Sequence, residues 1–156
     1  MAKTVLITGA SRGIGAAAAR RFYAEGWNVA VNYCRSRERA EALCRELGPN
    51  AFPVQADVAD WRQVQAMTDA VAERFGGLDA LVCNAGIALP GMVLQDVTSQ
   101  QWERLIAVDV NGVYHACRAA LPYLLRQHRG SIVTVSSIWG QVVGRCEVPY
   151  SAAWLL

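Results

Sequence analysis

A chain of 156 residues is long enough for one domain with a substantial core and too short for two. Its 53% apolar and 18% charged residues, with a net charge of +2, read as a soluble globular protein; there is no basic stripe for nucleic acid. The apolar stretches are short and interrupted by Gly, Asn or charge, so no membrane span is expected. The N-terminus reads straight into a strand without a secretory signal, which makes the expected location cytoplasmic. Five widely spaced cysteines without a CxxC pair read as free thiols, and no metal site is expected.

Along the chain, short β-rich runs alternate with longer helical patterns, which predicts an α/β fold with a parallel sheet and crossover helices. Thr4–Thr8 is the first expected strand, and the first helix runs from Gly13 to about Glu25. Asn28–Tyr33 is the second strand, and Ser36 is placed to cap a helix over Arg37–Leu47. Ala51–Gln55 is a third strand. Pro53 inside it lacks the N–H that a central strand must donate, so this strand belongs at an edge. Asp60 is placed to cap a helix over Trp61–Phe75, followed by a fourth strand over Ala80–Cys83. After a loop with Pro90 and Gly91, Thr98 and Gln101 have the spacing of a capping box. The pattern then predicts one long helix to about Gln127, bent at Pro122, and a fifth strand over Ser131–Val135. A last helix should begin at Tyr150.

Between the first strand and first helix stands Thr8-Gly9-Ala10-Ser11-Arg12-Gly13-Ile14-Gly15. Gly9 allows a sharp turn off the strand, while Gly13 and Gly15 remove side chains where backbone approaches a pyrophosphate and where helix packs on sheet. The free N–H groups and dipole of the helix N-terminus favour an anion there. In this strand–turn–helix setting the motif predicts dinucleotide binding.

Four motifs in order extend that reading over the whole chain: TGASRGIG, Asp57-Val58 after the third strand, Asn84-Ala85-Gly86 after the fourth, and Ser137 and Tyr150 separated by 13 positions. In these the chain resembles the classical short-chain dehydrogenase/reductase family, with a pattern like that of 3-oxoacyl-carrier-protein reductases. The resemblance implies a Rossmann-type doubly wound parallel sheet of strand order 3-2-1-4-5, with Gly9, Ser11, Arg12, Gly13, Ile14, Gly15, Arg35, Asp57, Val58, Asn84, Ala85 and Gly86 at the cofactor. Enzymes that use NAD usually carry an acid at the end of the second strand. Here that end reads Asn32-Tyr33-Cys34-Arg35, so Arg35, helped by Arg12, is expected to meet a 2′-phosphate, and NADP is favoured over NAD.

For catalysis the resemblance implies that Tyr150 donates the proton and Ser137 holds the substrate oxygen. The family's Lys four residues after the Tyr lowers its pKa and holds the nicotinamide ribose. An Asn on the long helix supports a water chain to that Lys. Two positions depart from this set. Asp109 stands where the family has Asn, and Trp154 stands where it has Lys. An indole cannot lower a phenol's pKa by charge. Lys3 is the only lysine in the chain, at the far end of the first strand.

The expected function is NADP(H)-dependent interconversion of a small-molecule carbonyl and alcohol, weak or absent in this chain. The alternatives are a non-catalytic nucleotide-binding or interaction module, or a non-functional truncated fragment. Because the family continues with further strands and helices, residues 1–156 are expected to form a single incomplete dinucleotide-binding domain. The change from YSAA to WLL favours a truncated or frameshifted origin. An open fifth strand then implies either marginal stability alone or assembly into a homo-oligomer.

Overall fold

Thr4–Ile7 forms β1, whose side chains alternate between two cores. Leu6 joins one buried cluster, and Val5 and Ile7 join the other. The computed structural model describes residues 2–89, 91–142 and 144–155, so Pro90 of the expected loop lies outside the described residues. After β1 come α1 (Gly13–Ala24), β2 (Asn28–Tyr33), α2 (Arg37–Leu47), β3 (Ala51–Gln55), α3 (Trp61–Phe75) and β4 (Ala80–Cys83). The second half contributes α4 (Ser99–Ile106), α5 (Gly112–Arg126), β5 (Ser131–Thr134) and α6 (Val148–Leu155).

The strands form one parallel sheet in the order β3-β2-β1-β4-β5, which is the expected architecture. Val64, Met67 and Val71 of α3 and Ala116, Ala119 and Leu124 of α5 bury one face, against Leu6, Ala30 and Leu81. Ala16 and Ala19 of α1 and Ala40 and Leu43 of α2 bury the other, against Val5, Ile7, Val29 and Val31. Coverage on both faces is why β1, β2 and β4 read as near-continuous apolar runs. β3 lies at one edge, as Pro53 requires. At the other edge all four residues of β5 are exposed, Val133 to 51%. No helix among the described residues is long and apolar enough to cross a membrane.

Two expected caps form as read. Asp60 accepts from the N–H groups of Arg62 and Gln63, and Thr98 and Gln101 make a reciprocal capping box. Four expectations need correction. Ser36 occupies the cap position of α2 but its side chain makes no capping hydrogen bond; it borders a cleft instead. The single long helix is two helices joined by a π turn at Ala107–Asn111, so the departure from the α-helical ladder lies there, while α5 runs through Pro122 to Arg126. A π turn inserts one residue into the ladder and rotates the helix beyond it. Here it leaves both Val108 and Asp109 buried, and it brings Gly112 so close to Val58 that a methyl on it would lie 2.7 Å from Val58 Cγ2. The last helix begins at Val148, two residues before Tyr150. β1 and β5 each end one residue earlier than read, at Ile7 and Thr134.

Candidate functional site

The carboxyl ends of β1, β2, β3 and β4 open into a cleft of about 730 Å³. In an open α/β sheet this crevice, where the strand order reverses about β1, is where ligands bind. Its walls include the glycine turn from Gly9 to Ile14, Cys34 and Arg35 after β2, Asp57 and Val58 after β3, and Asn84, Ala85 and Gly86 after β4.

Buried and part-buried hydrogen bonds shape the glycine turn. Gly9 has φ +63°, a left-handed conformation that L side chains resist. Its N–H donates to Asn32 Oδ1 at 3.0 Å. The Asn32 amide in turn donates to the carbonyls of Val54 and Ala56 at 3.3 and 3.2 Å, so one side chain, 1% exposed, ties the turn to β2 and β3. On the other side Thr8 Oγ1 accepts from the N–H groups of Asn84 and Ala85 at 2.9 and 3.0 Å. Asn84 Nδ2 donates to the carbonyls of Thr8 and Gly9 at 2.8 and 3.1 Å. The Asn84 side chain thus braces the turn. Gly15 lies beneath it, where a methyl would fall 2.9 Å from Ala10 Cα and 2.5 Å from Asn84 Nδ2. Gly13 is the contrast, with no neighbour within 4 Å of its missing Cβ. Its exposed backbone at the start of α1 can approach an anion.

Four charged side chains border the cleft among the described residues: Arg12, Arg35, Arg104 and Asp57. Arg104 of α4 pairs with Asp57 Oδ2 at 2.8 Å, and Asp57 Oδ1 accepts from the Ala59 N–H at 3.0 Å. This leaves Arg12 and Arg35, both exposed, as the cations at the β2 end.

Of the residues expected to carry catalysis, Asp109 lies against Gly86 of the cleft wall, as does Trp154 in the lysine's place. Ser137 stands at the head of a 3-10 turn (Ile138–Gly140), where its Oγ accepts from the Trp139 N–H at 3.3 Å. Tyr150 and Trp154 share one face of α6, their rings 5.7 Å apart and edge to face. Ser137 and Tyr150 are not among the described residues that line the cleft.

Trp154 packs between two glycines. A methyl on Gly140 would fall 3.0 Å from Trp154 Cβ, and one on Gly86 would lie 3.5 Å from Trp154 Cζ2. The same point over Gly86 is 3.7 and 3.8 Å from the two carboxylate oxygens of Asp109. Asp109, in the π turn and 3% exposed, accepts from the Ile87 N–H at 2.8 Å through Oδ1. Its Oδ2 and the Trp154 indole Nε1 are buried without a hydrogen-bond partner. Burial pushes the Asp109 carboxyl up to about 6, against the opposing pull of the Ile87 N–H.

Sequence reading thus named most of the residues that line the cleft, but gave no role to Asn32 or Arg104, nor to the Thr8 hydroxyl beneath the turn. Asn32 left a signal, because a polar residue inside an otherwise apolar strand must find buried partners. Arg104 left none, since its partner lies on another segment.

A sequence model of the short chain dehydrogenase family matches residues 3–154. The chain is 42% identical over 155 residues to a 3-oxoacyl-acyl-carrier-protein reductase, FabG, of Staphylococcus aureus. That match takes in 97% of this chain and 63% of the relative. It is 44% identical over 141 residues to 3beta-hydroxysteroid dehydrogenase 1 of Eggerthella lenta, covering 87% of this chain and 53% of that one. Among solved structures it resembles serine dehydrogenase from Escherichia coli with a TM-score of 0.89 and 30% identity, over 97% of this chain and 70% of the other. The chain therefore spans about 63% of the length of the reductase it matches.

Proposed function

The chain belongs to the short-chain dehydrogenase/reductase family, and on that premise we propose that it is an NADP(H)-type oxidoreductase by descent whose carbonyl–alcohol chemistry is weak or absent here. The observation that carries this reading is Trp154. It stands where the family resemblance implies a lysine, and its neutral indole cannot hold the Tyr150 phenol at a lowered pKa by charge.

Residues on the adenosine side fit a dinucleotide. The glycine turn offers backbone N–H groups at the N-terminus of α1 for a pyrophosphate, with Ser11, Arg12 and Ile14 beside it. Arg35 and Arg12 suit a 2′-phosphate, and no carboxylate follows β2 before Glu38 to hold a ribose hydroxyl instead. Asp57 and Val58 face the adenine end, and Asn84, Ala85 and Gly86 form the floor towards β4. A bound reduced nicotinamide would supply the hydride. Tyr150 is assigned the proton, Ser137 the hydrogen bond to the substrate oxygen, and Asp109 a positioning role beneath Gly86. The substrate class is a small-molecule carbonyl or alcohol, and the family resemblance favours a homo-oligomer in the cytoplasm.

Titration with NADPH and NADH, alongside turnover of a carbonyl panel, tests the reading. NADPH binding with little or no turnover is the expected result. Arg35→Ala should weaken NADPH about tenfold, the size of one charge-assisted contact, and leave NADH unchanged. Equal tight binding of both cofactors to the wild-type chain would remove the NADP assignment. Efficient turnover that disappears in Tyr150→Phe would show an active enzyme and overturn the proposed impairment.

The second reading, a nucleotide-binding module without catalysis, draws on the same observation: the nucleotide cleft is present, while Trp154 leaves Tyr150 without the charged partner that the family resemblance implies.

A further inference from the structure

Cys83 and Cys117 lie 34 positions apart in sequence, and their Sγ atoms meet at 4.0 Å. Cys83 is the last residue of β4, on the sheet face that α3 and α5 cover. Cys117 comes to it from α5, whose sheet-facing residues Ala116, Ala119 and Ala120 are small and buried, so the helix backbone packs close to the strand. The contact lies directly behind the cleft. The residue after Cys83 is Asn84, whose side chain braces the glycine turn, and β4 is paired on its flanks with β1 and β5.

The two thiols differ in access. Cys117 is half-buried, whereas Cys83 is 3% exposed. Burial, with the Cys117 thiol beside it, pushes the Cys83 thiol up from its ordinary range. A reagent from solvent therefore meets the pair at Cys117. Once Cys117 has reacted, contact at 4.0 Å makes attack by Cys83 an intramolecular step, whose high effective concentration offsets the small fraction of thiolate.

From this geometry we infer that Cys83 and Cys117 form a redox-sensitive clasp, which a small-molecule disulfide such as oxidised glutathione closes into a bond between β4 and α5. Cys117 loses its proton to solvent, and its thiolate attacks one sulfur of the reagent, whose S–S bond breaks and releases one glutathione thiolate. Cys83 then gives up its proton and attacks the Cys117 sulfur of the mixed disulfide, expelling the second glutathione thiolate. Each leaving thiolate takes up a proton. Two cysteine thiols are thus oxidised by two electrons, and the reagent is reduced to two thiols. The sulfurs of a disulfide stand about 2 Å apart, so the gap closes by roughly 2 Å. Because β4 is paired on both sides, that movement falls to Cys117 and α5. Closed, the clasp ties the strand end that leads into Asn84 to the helix that follows the π turn.

The unaltered full chain, incubated with oxidised glutathione in mildly alkaline buffer and digested without reduction, tests this by mass spectrometry. The expected product is a linked Cys83–Cys117 peptide, two hydrogens lighter than the sum of its parts and lost on treatment with dithiothreitol. Oxidation should also raise the thermal midpoint by roughly 5 °C or more, because the bond closes a long loop in the unfolded chain. Cys83→Ser should keep glutathione on Cys117 and gain nothing in midpoint on oxidation. Glutathione that stays on Cys117 of the wild-type chain, or no reaction at either cysteine, would make the contact apolar packing only and overturn the clasp. A link that forms only after unfolding in urea, or one that leaves the midpoint unchanged or lower, overturns it equally.

Discussion

The Asp109→Asn chain should keep its stability as pH rises from about 4 to about 6, where the wild-type chain loses a share of its own. The Asp109 carboxyl is raised from an ordinary 3.8 to about 6 because it is 3% exposed and only one of its oxygens is hydrogen-bonded. A carboxyl that titrates higher folded than unfolded favours the fold while protonated. That contribution is complete below the unfolded value and is lost as pH climbs through the folded one. A gap of this size corresponds to a loss on the order of 3 kcal/mol.

Asparagine keeps the oxygen that receives the Ile87 N–H, adds a donor, and never ionises. At pH 8 the variant should therefore unfold roughly 6–12 °C higher than wild type, at about 2–4 °C per kcal/mol for a chain this long. Glu46, held low by Arg20, and Asp60, held low by the Gln63 N–H and side chain, work in the opposite direction with pH. The informative quantity is thus the difference between the two proteins at each pH, from urea unfolding at a series of pH values. Parallel curves from pH 4 to 8 would mean that Asp109 is not buried as described.

Gly9→Ala should destabilise the chain by about 2–5 kcal/mol, combining left-handed backbone strain with overpacking. At φ +63° the new methyl would also lie 2.8 Å from Ala85 Cα, which is backbone and cannot step aside as a side chain could. Either response pulls apart the hydrogen bonds that Thr8, Asn32 and Asn84 use to join the glycine turn to β2 and β4. Nucleotide binding should fall with stability. Gly26→Ala is the matching control, with φ +80° and no neighbour within 4 Å, and it should cost only the strain of about 1–2 kcal/mol. Thermal unfolding of the two variants side by side measures the contact separately from the backbone angle. Equal losses would show that the turn and the Asn84-Ala85-Gly86 segment do not approach as closely as described.

The sequence by itself determined the layered α/β fold, the glycine turn, the edge position of β3 and the caps at Asp60 and Thr98. Each is written in a short window: an apolar period, a glycine where a side chain would block, a proline that cannot donate, an acceptor three residues before the N–H it receives. The family motifs likewise identified most of the cleft wall, and they marked Trp154 as an anomaly. Only the tertiary structure decided what that anomaly touches. The burial of Asp109 against the Gly86 floor, the Arg104–Asp57 pair and the packing of Trp154, its ring edge beside Gly86 and its Cβ beside Gly140, each join distant segments. Local backbone preferences are set by neighbouring residues along the chain. Which polar group ends up buried, and which partner it meets there, depends on how separate elements pack, and no window of sequence contains both sides of such a contact.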